Sequence, residues 1–184
     1  MITDKIQVNQ SITLKILRNG DASIIFEAMN NNRLFLRKWL PFVDATKTVS
    51  DTQAFVKSIV DDVERRQEVF TLWYNNEFAG LLGLKDIDYL NHKVEFGYWL
   101  IEKMCGKGIM SSAVEKLISF CYEELGMNRI QIKCAVGNDK SIAIPKRLGF
   151  TFEGIERDGE LLSGKVFTDL EVHSMLKSEF SSET

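Results

Sequence analysis

Hydrophobic and polar positions change period several times along this chain, and each change predicts an element. "SITLKIL" (11–17) alternates with period two and predicts a strand. "NGDASIIFEAMNNN" (19–32) switches to helical spacing, with Asp21 as N-cap and Ile24, Ile25, Ala28 and Met29 as the buried stripe. "RLFLRKWLPF" (33–42) predicts a short helical piece ending at Pro41. A third helix opens on a capping box of Ser50 and Gln53, with Phe55, Val56, Ile59, Val60 and Val63 on its apolar side. Two strands, "EVFTLWYN" and "EFAGLLGLKDI", flank a turn at Asn75-Asn76, and "HKVEFGYWLI" follows after a turn holding His92.

The next stretch changes the question from fold to chemistry. Trp99, Leu100 and Ile101 run into a polar segment with Gly106 and Gly108. Helical spacing then resumes at once through Ile109, Met110, Ala113, Val114, Leu117, Ile118, Cys121 and Tyr122, up to Gly126 as C-cap. Glycine permits positive φ and close approach to the main chain, and a helix start offers N–H groups without intrahelical partners. The two features together suit an anion. A plain strand-to-helix turn explains the glycines equally well. Two known phosphate loops fail here, because Ile101 fills the first glycine position of a P-loop and Ser111 the third of a dinucleotide fingerprint. Beyond the loop, "RIQIKCAV" (129–136) predicts a strand, and "NDKSIAIPKRLGF" a helix capped by Asn138. A closing hairpin turns near Ser163-Gly164. The element order predicts an α+β fold around one mixed seven-stranded sheet.

Composition narrows the class. The 184 residues, 45% hydrophobic and 27% charged, suit a single domain over 1–184 with its core at about 10–178. A net charge of −3 without any basic run speaks against direct nucleic-acid binding. Cys105, Cys121 and Cys134 form no C-x-x-C pair. With only His92 and His173 beside them they give no zinc spacing, so no metal is expected. No apolar leader and no 18-residue apolar run exist, from which we expect a cytoplasmic protein without membrane contact.

Four blocks in order carry a family resemblance: "LRKWLPF" (36–42), "VEFGYWLIEKMCGKGIMSSAV" (94–114), "NRIQIKCAVGNDKSIAIPKRLGFTFEG" (128–154) and "DLEVHSML" (169–176). The chain resembles the GNAT N-acetyltransferases, and within them the RimJ/RimL-type ribosomal-protein N-acetyltransferases. The resemblance implies the GNAT fold, acetyl-CoA as cosubstrate, and an amine acceptor such as a ribosomal-protein N-terminus. It also implies a homodimer, common in that subgroup. The family loop, Gln/Arg-x-x-Gly-x-Gly/Ala, aligns with Lys103-Met104-Cys105-Gly106-Lys107-Gly108, lysine replacing the usual first residue. Backbone of this loop and of Ile109 and Met110 would hold the coenzyme's pyrophosphate. The edge of Trp99, Leu100 and Ile101 would pair with its pantetheine arm, and Asn138 would hold that arm.

Ser141 would then lie near the thioester sulfur. Many family members carry at position 145 the tyrosine that protonates the leaving thiolate; this chain has Pro145, which leaves Ser141 or a water. Pro145 also lacks the N–H that the Ser141 carbonyl would use, so a kink is expected there. Glu95, inside an apolar strand, is expected as base or amine-binding carboxylate with a raised pKa. Trp39 and Tyr98 are expected to line the acceptor site. Rival readings are a small-molecule acetylase acting on an aminoglycoside, polyamine or amino acid, and a non-catalytic coenzyme A-binding module.

Overall fold

A computed structural model of the chain describes residues 4–162 and 164–180. Among these residues eight strands form one sheet: β1 (Lys5–Gln7), β2 (Ile12–Ile16), β3 (Glu68–Tyr74), β4 (Glu77–Asp88), β5 (Lys93–Leu100), β6 (Arg129–Ala135), β7 (Thr151–Leu162) and β8 (Val166–Leu176). Five α-helices accompany them: α1 (Ala22–Asn31), α2 (Arg33–Leu36), α3 (Val49–Val60), α4 (Ile109–Glu123) and α5 (Asp139–Arg147). Strand order across the sheet is β1-β2-β3-β4-β5-β6-β8-β7. Every neighbouring pair is antiparallel except β5 and β6, which the crossover through α4 makes parallel.

Strand alternation sorts side chains onto two faces, and helices cover much of both. On one face Leu14, Phe70, Leu82, Phe96 and Ile132 pack against Ile109, Ala113, Val114 and Leu117 of α4. On the other, Leu17, Val69 and Leu81 pack against Ala22 and Ile25 of α1 and Val56 and Ile59 of α3. Burying a Leu, Ile or Phe side chain contributes about 1.5–3 kcal/mol each, so α4, with eight buried positions, is the main clamp on the sheet.

Several expectations need correction. The sheet has eight strands, because the three-residue β1, with only Ile6 buried, is too short to display alternation. Asp21 occupies the position before α1 but makes no side-chain cap there; its carboxylate accepts from the Arg18 N–H at 2.8 Å. The cap of α3 is Thr48 with Asp51: the Thr48 hydroxyl accepts from Asp51 N–H and the Asp51 carboxylate from Thr48 N–H at 2.8 Å. The helix ends at Val60, and Phe55, Val60 and Val63, expected on its apolar side, are exposed. Pro41 does not end a helix but opens a 3₁₀ turn, Pro41–Val43. Gly164 and Lys165 turn the final hairpin, and Ser163 lies outside the described residues.

Candidate active site

The glycine segment leaves β5 through a 3₁₀ turn, Glu102–Met104, and reaches α4 with Gly106 at φ 76° and Gly108 at φ 74°. Both angles lie where a Cβ is strained, which explains glycine at these two positions. A Cβ on either would meet no heavy atom within 4 Å, so the main chain here faces open space. Ile109 and Met110 are buried and fix the start of α4, aiming its first N–H groups at that space. Arg147 of α5 reaches the same helix start and donates to Ser111 Oγ at 2.7 Å. Lys107 is exposed beside the loop, whereas the Lys103 ammonium is engaged by Glu77 at the start of β4. Lys103 therefore contributes backbone to the loop. Cys105 turns its thiol to the Ile101 carbonyl at 3.6 Å, and partial burial pushes that thiol up, away from nucleophilic use.

Beside the loop, the sheet opens. Register between β5 and β6 runs from Lys93↔Arg129 to Phe96↔Ile132 and stops there. Both strands continue, β5 paired outward to β4 as far as Leu100 and β6 paired outward to β8 as far as Ala135. Their inner edges therefore carry main-chain groups without a strand partner, a wedge into which an extended amide-bearing chain can pair. Trp99 and Leu100 line one side, and Ile101, which donates its N–H to the Ala79 carbonyl, closes its end. Gly80 allows this close approach, since a Cβ there would sit 2.0 Å from the Trp99 carbonyl oxygen.

Three side chains meet at the wedge. Asn138 caps α5 by accepting from Ser141 N–H at 3.4 Å. Ser141 Oγ lies 3.2 Å from Cys134 Sγ, whose thiol burial pushes up. Tyr98 donates its hydroxyl to the Ser141 carbonyl at 3.1 Å. Tyr98 thus turns to the α4 side of the sheet. Trp39 stands over the turn between β6 and α5, its indole Cη2 4.0 Å from where a Gly137 Cβ would be.

The opposite face of β5, β6 and β7 is polar. Glu95, 7% exposed, is 2.7 Å from Lys85 Nζ and 3.8 Å from Lys133 Nζ, and accepts from Gln131 at 3.0 Å. Burial pushes its carboxyl up, but Lys85, Gln131 and Lys133 together outweigh burial and hold it below the ordinary range. The raised pKa expected for Glu95 is corrected on that ground: two cations were brought to it from neighbouring strands.

On this face the carboxylate that does rise is Glu160, which sequence reasoning missed. Burial pushes it up, Lys85 opposes, and the nearby Glu95 charge adds to the rise. It comes to this face through a bulge in β7. Glu156 pairs with Leu170 and Glu160 with Thr168, so β7 spends two residues more than β8 between the same rungs. Asp158, at φ 50°, sits in that bulge and donates its N–H to Asp169 at 2.9 Å. The signal was the Asp158-Gly159 pair inside an otherwise strand-like run.

A glycine loop at a helix start, a wedge of unpaired main chain and polar groups at its apex fit acetyl-CoA, as diphosphate, pantetheine and thioester in turn. Among the described residues no group of His, Cys, Asp and Glu is assembled for a metal ion, and no helix is long and apolar enough to cross a membrane.

Comparison with known proteins follows the same line. The family model for the acetyltransferase (GNAT) domain matches residues 11–151. A putative ribosomal N-acetyltransferase, YdaF, of Bacillus subtilis (strain 168) is 37% identical over 182 residues, covering 96% of this chain and 97% of that one. Spermidine N(1)-acetyltransferase of Vibrio cholerae is 26% identical, covering 94% and 97%. Among solved structures, RimL, a ribosomal L7/L12 α-N-protein acetyltransferase in complex with coenzyme A, superposes with TM-score 0.89 at 25% identity, covering 94% and 97%. The microcin C7 self-immunity acetyltransferase MccE, with acetyl-CoA and AMP, does so with TM-score 0.88 at 30% identity, covering 95% and 97%.

Proposed function

This chain belongs to the GNAT acetyltransferase family, and from that premise we propose that it acetylates a protein N-terminal α-amine in the cytoplasm. Acetyl-CoA is the cosubstrate, and its thioester supplies an activated acetyl carbon. In our reading, main-chain N–H groups from Gly106 to Met110 hold the diphosphate. The inner edge of Trp99 to Ile101 and the Asn138 side chain align the pantetheine amides. Trp39 borders the acceptor.

Proton movement is divided between two side chains. A peptide α-amine has a pKa of roughly 7.7–8.0, so a modest base suffices near neutral pH. Glu160 is that base in our reading, because burial raises it while Glu95 stays charged between its lysines. Once Glu160 has taken the ammonium proton, attack leaves a second N–H proton on the amine, and Ser141 relays it to the departing sulfur, keeping its own hydroxyl at the end of the step. Holding amine and thioester together across the wedge contributes more than either transfer.

The observation that favours a peptide is the charge of the open face. Glu95, Glu156 and Glu160 share it with Lys85 and Lys133. Charges of both signs alternate there: a peptide N-terminus brings one cation for a carboxylate and main-chain carbonyls for the lysines, whereas a polyamine offers the two lysines no acceptor. The spermidine relative keeps the polyamine reading as the rival. A second copy of the chain is the partner we propose for the exposed Phe152, Ile155, Leu161 and Phe167 around the outer hairpin, checked by light scattering.

The test is thiol release from acetyl-CoA with three acceptors: a peptide beginning with serine, spermidine, and free serine. Turnover with the peptide at least ~10-fold above the others in kcat/KM is expected. Turnover confined to spermidine overturns the reading. Gly108→Val serves as control and should abolish calorimetric binding of coenzyme A.

A further inference from the structure

We infer that the Tyr98 hydroxyl stands in for the amide hydrogen that Pro145 lacks, making Tyr98 a positioning residue for Ser141 and the first turn of α5. In an α-helix the carbonyl of residue 141 accepts from the N–H of residue 145. Proline has none, and it lies inside the nine-residue α5. The Ser141 carbonyl therefore needs another donor in a partly buried place, and Tyr98 supplies it at 3.1 Å.

The bond also crosses the wedge. Tyr98 lies two residues past the last β5–β6 rung, Phe96↔Ile132, where no ladder bond joins β5 to β6. Its hydroxyl is 4.0 Å from Cys134 Sγ, and that sulfur is 3.2 Å from Ser141 Oγ. One phenol thus ties β5 to the turn carrying both Asn138 and Ser141 at the point where the strands have separated. Burial holds the phenol well above its ordinary range, so it remains a donor at all working pH values. A phenol has one proton to donate. Given to the Ser141 carbonyl, it is not available to the departing sulfur, which makes the role one of placement.

The relation to Pro145 gives a test that packing alone does not mimic. Four proteins are compared: wild type, Tyr98→Phe, Pro145→Ala, and the double variant. Calorimetry gives affinity for coenzyme A, and turnover is measured with acetyl-CoA and the serine peptide. With proline at 145, Tyr98→Phe should lower coenzyme A affinity and kcat by ~10-fold or more, as an unsatisfied carbonyl implies, with the peptide KM little changed. With alanine at 145, whose N–H returns to the Ser141 carbonyl, the same change should cost less than ~3-fold. Equal losses in both backgrounds, or no loss in Tyr98→Phe, overturn the inference. The inference leans on the proposed acceptor only for turnover. If the peptide is not acetylated, that acceptor falls, and the ratio of coenzyme A affinities still decides the role of Tyr98.

Discussion

Two carboxylates on one face, Glu95 and Glu160, separate into different roles because of what stands beside each. Glu95 has the stronger burial, but two lysines and an amide hold it ionised. Glu160 has burial without a matching cation. Glu160→Gln should therefore lower kcat by ~10²-fold or more with an unchanged melting temperature. Glu95→Gln should cost about 1 kcal/mol of stability in urea denaturation, since it takes the paired charge from Lys85, which has access to water, while Lys133 keeps Glu156 at 2.7 Å. A kcat loss that is larger for Glu95→Gln than for Glu160→Gln would reverse the assignment. Sequence alone places Glu95 within an apolar strand, but the sign of its pKa shift depends on Lys85 and Lys133. Those residues stand ten and thirty-eight positions away, so no local pattern contains it. Asn138, by contrast, was legible because a helix cap is a local arrangement that polar residue type announces.

Elements set how these residues are held against one another. The outer hairpin is fastened to β6 by Arg129, whose guanidinium spans both Glu153 oxygens at 2.6 and 2.5 Å, with Ser174 donating to the same carboxylate at 2.8 Å. The Arg129 guanidinium, opposed by burial and helped by the Ser174 hydroxyl, holds the Glu153 carboxyl down at about 2, from an ordinary 4.5. A carboxyl depressed on folding stabilises fully above its unfolded pKa. That stabilisation is lost as pH falls from about 4.5 toward about 2. Glu153→Gln should thus be less stable than wild type at pH 7, with the gap closing by pH 2–3, as denaturation at each pH would read. At the other edge of the wedge, Gly80→Ala should lower the melting temperature by about 4 °C or more, because a methyl there collides with the Trp99 carbonyl. The loop glycines were visible in sequence as spacing; Gly80 was not, since its reason is a neighbouring strand. Pattern does not decide the α3 cap either: Ser50-Gln53 and Thr48-Asp51 both satisfy it, and the reciprocal bonds form at Thr48 and Asp51.

At the scale of the molecule, period changes along the chain gave strand and helix order almost entirely, because each long element buries one face. They could not give the sheet's two ends or its interruption. β1 is too short to show a period, and the end of the β5–β6 ladder is a relation between residues some 36 apart. That interruption divides the sheet into two antiparallel plates, β1 to β5 and β6 to β8, joined by four rungs and by α4. The short seam makes the molecule mechanically two leaves on a spine. Whatever lies in the gap touches both leaves, and so acts on their separation as a rivet does. Unfolding must then expel it, and resistance to heat becomes a function of its concentration. A ligand at 100 times its dissociation constant should raise unfolding free energy by about 2.7 kcal/mol. Hydrogen exchange would locate that gain, slowing most at the inner-edge amides of Gly97 to Leu100 and Lys133 to Ala135. The leaf that opens first on heating would then be recognisable by which of those two groups loses protection earlier.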